Sequence, residues 1–291
     1  MTSASAQNGG FWERIEAGLA ETTPNVSLER DPFYSQPEWD VYRMHYDTTA
    51  GHRLFAWFSV PHGDGPFPAL VRMPDYASVH DIIYTPLRNA THRGQRNSDG
   101  LIRSSYPGLL TEGIESADSY VLLGAYADAL RALDALETQG AAEIGAVALI
   151  GAGMGASLAL SVAARRSGIS AVAADTPLAL GHSSALEPGL GYPLGELGDY
   201  LRMRPERRGA VAEVLSPVNP LNFAASVTAP VLMSAGRLDR SVCPLAFAEE
   251  LAAVLPNCDL RVYEGAAEGG GHEHAQVRGG WLAERLGVTV S

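Results

Sequence analysis

A glycine-rich turn is the segment of this sequence whose residue types and spacing most directly suggest chemistry. It reads Gly-Ala-Gly-Met-Gly-Ala over residues 151–156 and follows an apolar run at 146–150. In a nucleophile elbow, G-x-S-x-G, two small residues flank a catalytic serine on a tight strand-to-helix turn. Gly151 and Gly155 fit the flanking positions, and Gly153 then stands at the serine position. This pattern predicts an elbow that lacks the nucleophilic side chain.

The same turn also matches the dinucleotide fingerprint G-x-G-x-x-G/A through Gly151, Gly153 and Ala156. Asp175 lies near the distance downstream at which an acid binds a ribose hydroxyl. About 140 residues precede this turn, and no second nucleotide-binding half follows it. A dinucleotide site therefore stays an alternative, as does a plain tight turn without chemistry.

Strand-like and helix-like segments alternate through most of the chain. A strand at 146–150, the turn, a helix at 156–166 and a strand at 171–174 form a βαβ unit, which requires parallel strands. The other predicted strands are 41–46, 54–60, 69–73, 87–91, 231–235 and 260–263, and the other predicted helices are 11–20, 120–136, 244–254 and 275–286. We predict an α/β fold with a mostly parallel central sheet flanked by helices. It forms one domain over 11–291, with residues 176–228 inserted over the sheet edge and residues 1–10 as a disordered tail.

Several short motifs occur in a defined order along the chain. They are Arg93-Gly94-Gln95, Gly113-Ile114-Glu115, Asp128-Ala129-Leu130-Arg131, Asp175-Thr176-Pro177-Leu178, Asn219-Pro220-Leu221-Asn222, Ala229-Pro230-Val231-Leu232 and Gly236-Arg237-Leu238-Asp239. Together they resemble the acetyl xylan esterase and cephalosporin C deacetylase family of α/β-hydrolases. The resemblance extends from Phe11-Trp12 to Trp281-Leu282 and implies an α/β-hydrolase fold.

The resemblance also implies a site. In that family a serine attacks an acetyl ester, a histidine takes its proton, an aspartate orients the histidine and backbone N–H groups hold the oxyanion. Asp239 matches the aspartate. Gly153 has no side chain, so no acyl-enzyme can form there, and Met154 also departs from the family pattern beside the serine.

The loop that would supply the second oxyanion N–H group carries Tyr76, which matches the family's tyrosine. Around it, Arg72, Met73 and Asp75 replace a softer loop that bears glycine. Arg72 either brings positive charge to the site or is a surface arginine. We expect Tyr76, Gly153, Met154 and Arg72 to line the substrate-binding and oxyanion region.

The histidine position is ambiguous. Counting forward from Tyr263 places Glu268 at that position, whereas a local shift lets His272 take it, with His274 as a second candidate. Three consecutive glycines, at 269–271, give this loop wide conformational freedom. His272 is the predicted partner of Asp239, and a solvated loop histidine is the alternative.

Other side chains could in principle replace the missing serine. Ser157 lies one helical turn past the elbow and is expected to face helix packing, and Cys243 before Pro244 is expected to be structural. Ser183 and Ser184 lie beside His182, but adjacency in sequence is not catalytic geometry.

Composition excludes several classes of protein. All 21 basic residues are arginine, so lysine Schiff-base chemistry, pyridoxal phosphate and a Walker lysine are excluded. With 33 acidic residues the net charge is −12, which disfavours nucleic-acid binding. Two cysteines cannot form a disulfide framework or a cysteine-based metal site.

The N-terminal residues lack the charge and apolar run of a secretory signal, and no apolar segment is long enough for a membrane helix. We expect a bacterial, cytoplasmic protein without metal or cofactor.

Three functional hypotheses remain beside dinucleotide binding. The favoured one is an enzyme that has lost covalent catalysis and uses Asp239, with or without His272, for elimination, epimerisation, isomerisation or water activation. Its substrate would be a small acylated or polyhydroxylated molecule. The others are a non-catalytic binding protein and an esterase with a relocated nucleophile. The resembled family implies a homo-oligomer, with residues 24–37 and 176–228 as candidate contacts.

Overall fold

A central sheet of nine strands organises the described part of the protein. The structure is a computed structural model that describes residues 2–76, 88–92 and 108–288. Within these residues the strands are β1 Ser27–Arg30, β2 Trp39–Asp47, β3 Arg53–Pro61, β4 Phe67–Arg72, β5 Arg88–His92, β6 Ile144–Ala152, β7 Ile169–Asp175, β8 Val231–Gly236 and β9 Cys258–Tyr263. They form one sheet in the order β1-β2-β3-β5-β4-β6-β7-β8-β9.

The sheet is parallel over most of its width. The pairs β1–β2, β2–β3 and β3–β5 are antiparallel, and every pair from β5–β4 through β8–β9 is parallel. Parallel strands need crossover segments that cover both faces of the sheet, and their strands are consequently apolar on both sides. All six residues of β8 are buried. The prediction of a mostly parallel sheet is confirmed.

The helices are α1 Thr2–Glu21, α2 Val121–Thr138, α3 Met154–Ala163, α4 Gly195–Met203, α5 Arg208–Leu215, α6 Leu245–Val254 and α7 Gly271–Leu286. The larger core cluster includes most of the buried apolar residues of α2 and α3 and, from the sheet, Leu149 and Val172. On the other face, Ile150 and Ala173 pack with Leu282 and Leu286 of α7. Successive strand residues point to opposite faces, so β6 and β7 contribute to both layers.

Two helices begin well before the residues that the sequence predicts. Helix α1 begins at Thr2, so the chain is helical where a disordered tail over residues 1–10 was predicted. Helix α7 begins at Gly271 instead of near residue 275, because Gly270 has φ 88° and turns the chain directly into the helix. This last difference places His272 and His274 in the first turn of α7.

Between β7 and β8 the chain forms α4, α5 and several 3₁₀ turns. This is the stretch, 176–228, predicted as an insertion. The Arg93-Gly94-Gln95 motif lies outside the described residues. None of the helices in the described ranges is long and apolar enough to cross a membrane.

Candidate active site

A sharp turn at the carboxyl end of β6 forms the centre of the site. Gly153 lies between Ala152, the last residue of β6, and Met154, the first residue of α3, with φ 53° and ψ −121°. This is a backbone conformation that side-chain-bearing residues rarely adopt. A Cβ atom on Gly155 would lie 2.6 Å from the carbonyl oxygen of Met73, so the helix packs closely against the segment after β4. The geometry is that of a nucleophile elbow.

The carboxylate of Asp75 lies directly over this elbow. Its Oδ1 accepts hydrogen bonds from the backbone N–H of Met154 at 2.9 Å and of Tyr76 at 2.7 Å. A Cβ atom on Gly153 would overlap this Oδ1 and lie 2.9 Å from Cγ of Asp75. The carboxylate therefore fills the space into which a side chain at position 153 would extend.

The two N–H groups that hold Asp75 correspond to the donors of an oxyanion hole. In a nucleophile elbow one donor follows the nucleophile and the other comes from the loop after a neighbouring strand. Met154 holds the first position, and Tyr76, after β4, holds the second. Both donors bind one oxygen of the protein's own carboxylate, so an external oxyanion would have to displace Asp75 to use them.

The environment of Asp75 raises its pKa above the ordinary value. Desolvation by neighbouring protein is the largest cause, although the side chain retains solvent exposure. The hydrogen bonds from Tyr76 and Met154 and the positive charge of Arg72 act in the opposite direction, and the charge of Glu268 adds to the increase. Arg72 thus acts electrostatically on the site. A carboxyl with a raised pKa accepts a proton more readily near neutral pH.

The hydroxyl of Tyr76 is hydrogen-bonded to Glu196 and to the segment that begins at residue 108. The hydroxyl donates to Oε1 of Glu196 at 2.6 Å and accepts the N–H of Leu109 at 3.1 Å, while Oε2 of Glu196 accepts the N–H of Leu110 at 2.9 Å. Burial is the main cause that raises the pKa of Tyr76 and also that of Glu196. Helix α4, which carries Glu196, is thereby tied to the loop that holds Asp75.

Asp239 does not contact a histidine among the described residues. It is buried, and its carboxylate accepts backbone N–H groups from Ser241 at 2.8 Å, Val242 at 3.0 Å and Cys243 at 2.9 Å. The Ser241 hydroxyl adds a bond of 3.1 Å. These bonds shape the loop after β8, and they engage both carboxylate oxygens with loop donors instead of an imidazole.

The two candidate histidines lie in different environments. His272 is exposed, and its Nε2 is 3.2 Å from Nε2 of Gln276. His274 is buried, with Nε2 3.0 Å from Oδ1 of Asp175 and Nδ1 2.9 Å from the hydroxyl of Tyr263. Positions two apart on a helix point in nearly opposite directions, which explains the contrast. The predicted His272–Asp239 pair is not formed in this structure.

Asp175, at the end of β7, is the acidic partner that the sequence analysis missed for His274. Arg278 of α7 binds the other carboxylate oxygen of Asp175. The backbone carbonyl of Asp175 accepts the N–H of Gly153 at 2.9 Å. The sequence analysis assigned Asp175 a chemical role only in the dinucleotide alternative. In the structure its carboxylate is engaged with His274 and Arg278, and Asp75 already holds the N–H of Met154 at the start of α3. Both arrangements disfavour a ribose and pyrophosphate here.

Two of the other nucleophile candidates, Ser157 and Cys243, are buried in the protein interior. Ser157 is fully buried and donates to the carbonyl of Leu178 at 3.1 Å. Cys243 is fully buried, and burial raises the pKa of its thiol, which keeps it protonated.

The strand order, the elbow after β6 and the helices on both faces define an α/β-hydrolase fold. Residues 5–284 match the model of the acetyl xylan esterase (AXE1) family, and the chain belongs to this family. The predicted family and fold are confirmed.

Known relatives agree with this assignment. An acetyl xylan esterase from Paenibacillus sp. R4 superposes with a TM-score of 0.84 at 21% identity, covering 98% of this chain and 95% of that one. For acetyl xylan esterase 1 from Thermoanaerobacterium sp. JW/SL YS485 the TM-score is 0.81 at 19% identity, over 96% and 93%. The acetyl esterase Axe7A of Xylanibacter ruminicola is 24% identical over 257 residues. That alignment covers 80% of this chain but only 56% of the relative's length.

Proposed function

We propose that this protein has replaced the serine nucleophile of its family with a non-covalent acid/base site centred on Asp75. One observation carries the proposal: the carboxylate of Asp75 occupies the space above Gly153, held by the N–H groups of Met154 and Tyr76. Neither an acyl-serine nor an external oxyanion fits while it stays there. This replaces Asp239 and His272, the groups expected from the sequence, as the acid/base centre.

The two carboxylate oxygens have different tasks in this arrangement. Oδ1 is anchored by two N–H donors, so Oδ2 is the atom that can exchange a proton with a bound molecule. The raised pKa of Asp75 makes it a better base than an ordinary aspartate. Negative charge that develops on the substrate would be stabilised by Arg72, since the oxyanion donors are already engaged. These features support proton abstraction, and hence elimination, epimerisation or isomerisation, or the activation of a water molecule.

The substrate class rests on the family. The relatives are named acetyl esterases or acetyl xylan esterases. We propose a small acylated or polyhydroxylated molecule for this chain, bound over the elbow. We further propose a cytoplasmic homo-oligomer that uses residues 24–37 and 176–228 as contacts, which light scattering at micromolar concentration tests.

Proton NMR in D₂O tests the reaction type on a panel of acetylated and free sugars. We expect deuterium incorporation or loss of water at a sugar carbon without stoichiometric acetate release. Asp75→Asn should abolish the reaction, and Asp64→Asn, in an exposed turn, is the matched control. Deuterium incorporation or loss of water that survives Asp75→Asn would contradict the proposal, as would a panel that binds without any chemical change.

A further inference from the structure

A second group of chemically competent side chains is formed by the segment after β7 together with helix α6. Nδ1 of His182 is 2.8 Å from Oγ of Ser184, and Nε2 of His182 is 3.3 Å from Oε2 of Glu250. Hydroxyl, imidazole and carboxylate follow one another in the order of a hydrolytic triad, which is recognised by geometry and not by sequence position. The group shares no residue with the Asp75 site.

The surrounding contacts define the tautomer of His182. Its Nδ1 faces the backbone N–H of Ser184 at 3.3 Å, and a backbone N–H can only donate. In the neutral imidazole Nδ1 must therefore be the unprotonated nitrogen, and the proton is on Nε2, which lies 3.3 Å from Oε2 of Glu250. This leaves a lone pair of Nδ1 directed at Ser184, which is the arrangement a general base requires.

The three side chains also differ in how closely they are packed and in how far they are exposed to solvent. The imidazole is mostly buried and packs at 5.2 Å, centroid to centroid, on the ring of Phe247 in α6. Ser184 is only partly buried, and Glu250 is exposed on α6. The base is thus held in place beside a serine that is only partly buried. Ser183, next in the chain, is exposed but makes no such contact in the described structure.

We propose that Ser184 is a nucleophile toward small activated acyl groups, with His182 as its general base and Glu250 as the group that orients His182. Oγ of Ser184 attacks the carbonyl carbon while its proton moves to Nδ1 of His182. The bond to the leaving alcohol breaks, and that alcohol takes the proton from Nδ1. Water then hydrolyses the acyl-serine by the same route, returning the acid and the free hydroxyl. This activity is independent of the function proposed for Asp75.

A fluorophosphonate probe tests the nucleophile directly in the full-length protein. Oγ attacks phosphorus, the P–F bond breaks and fluoride leaves, so a phosphonyl-serine remains that peptide mass spectrometry can locate. We expect the label on Ser184, its loss in Ser184→Ala and its retention in the matched variant Ser183→Ala. It should also persist in Asp75→Asn, which separates this proposal from the preceding one.

The base is tested by variants that preserve the local structure. His182 caps the 3₁₀ turn Ser183–Leu186, and asparagine caps well, so His182→Asn removes the base without removing the cap. We expect it to slow labelling on the order of 100-fold, and we expect Glu250→Gln to slow it by a smaller factor. Absence of label on Ser184, equal label on Ser183, or an unchanged rate in His182→Asn would each overturn the proposal.

Discussion

The close approach of Asp75 to Gly153 makes a quantitative prediction about stability. Replacing Gly153 with alanine imposes two costs: a side chain at φ 53°, and a Cβ that overlaps Oδ1 of Asp75. Gly168→Ala is the matched control, because Gly168 has φ 79° and an added Cβ would meet nothing within 4 Å. The control should therefore lose only the backbone term, about 1–2 kcal/mol.

Gly153→Ala should lose more than the control, because Asp75 must leave its two N–H donors. A hydrogen bond to a charged group contributes about 1.5–3 kcal/mol when buried. Asp75 retains solvent exposure, so we discount the pair to about 1–2 kcal/mol in total. We expect Gly153→Ala to lower the free energy of unfolding by about 2–4 kcal/mol.

Urea unfolding followed by tryptophan fluorescence measures these differences. The double variant Asp75→Ala/Gly153→Ala should be more stable than the sum of the single losses predicts, by about 1–2 kcal/mol, since removing Asp75 removes the overlap. Equal losses for Gly153→Ala and Gly168→Ala, together with additive effects in the double variant, would show that the carboxylate does not occupy the elbow.

Three further measurements test the site. His274→Ala should lower the free energy of unfolding by about 2–4 kcal/mol, because it removes the imidazole that binds Oδ1 of Asp175 and the hydroxyl of Tyr263. His272→Ala, at an exposed position, should change the free energy of unfolding by less than about 0.5 kcal/mol in the same urea assay. Asp239→Ala should lower the melting temperature measured by circular dichroism, with a loss of about 2–4 kcal/mol, since it leaves several loop N–H groups unpaired; an unchanged melting temperature would refute its role in the loop. The folded-state pKa of Asp75 is raised above that of the unfolded chain, so its protonated form favours the fold. Its stabilisation is complete below the unfolded pKa and is lost as the pH rises through the folded pKa, so the wild type should gain stability relative to Asp75→Asn as the pH falls through that window. A difference that is constant with pH would refute the shift.

Local patterns predicted much of the fold. The apolar runs at 146–150 and 231–235 correspond to the centres of β6 and β8, because strands buried on both faces must be continuously apolar. Short edge strands carry no such signal. Three of the four residues of β1 are exposed, so its sequence does not differ from that of a loop.

The site was predicted only in part. The pattern of glycines placed Gly153 at the turn between β6 and α3, where the structure has it. From the sequence, Asp75 is recognisable only as a change in the oxyanion loop. The one signal for its role in the site is that an acidic residue directly precedes Tyr76. His272 and Asp239 do not pair in this structure, because Gly270 and Gly271, which both have positive φ, start α7 early and leave His272 exposed.

Residue identity and short-range periodicity were enough to predict the family, the parallel sheet and the absence of a side chain at position 153. Which acid pairs with which partner depended on the three-dimensional arrangement of the elements. Asp75 and Met154 are 79 residues apart, and Asp175 and His274 are 99 apart. Such pairs form only when β4, β6, β7 and α7 converge at one edge of the sheet, and a carboxylate pairs with whichever donors that convergence places within hydrogen-bonding distance.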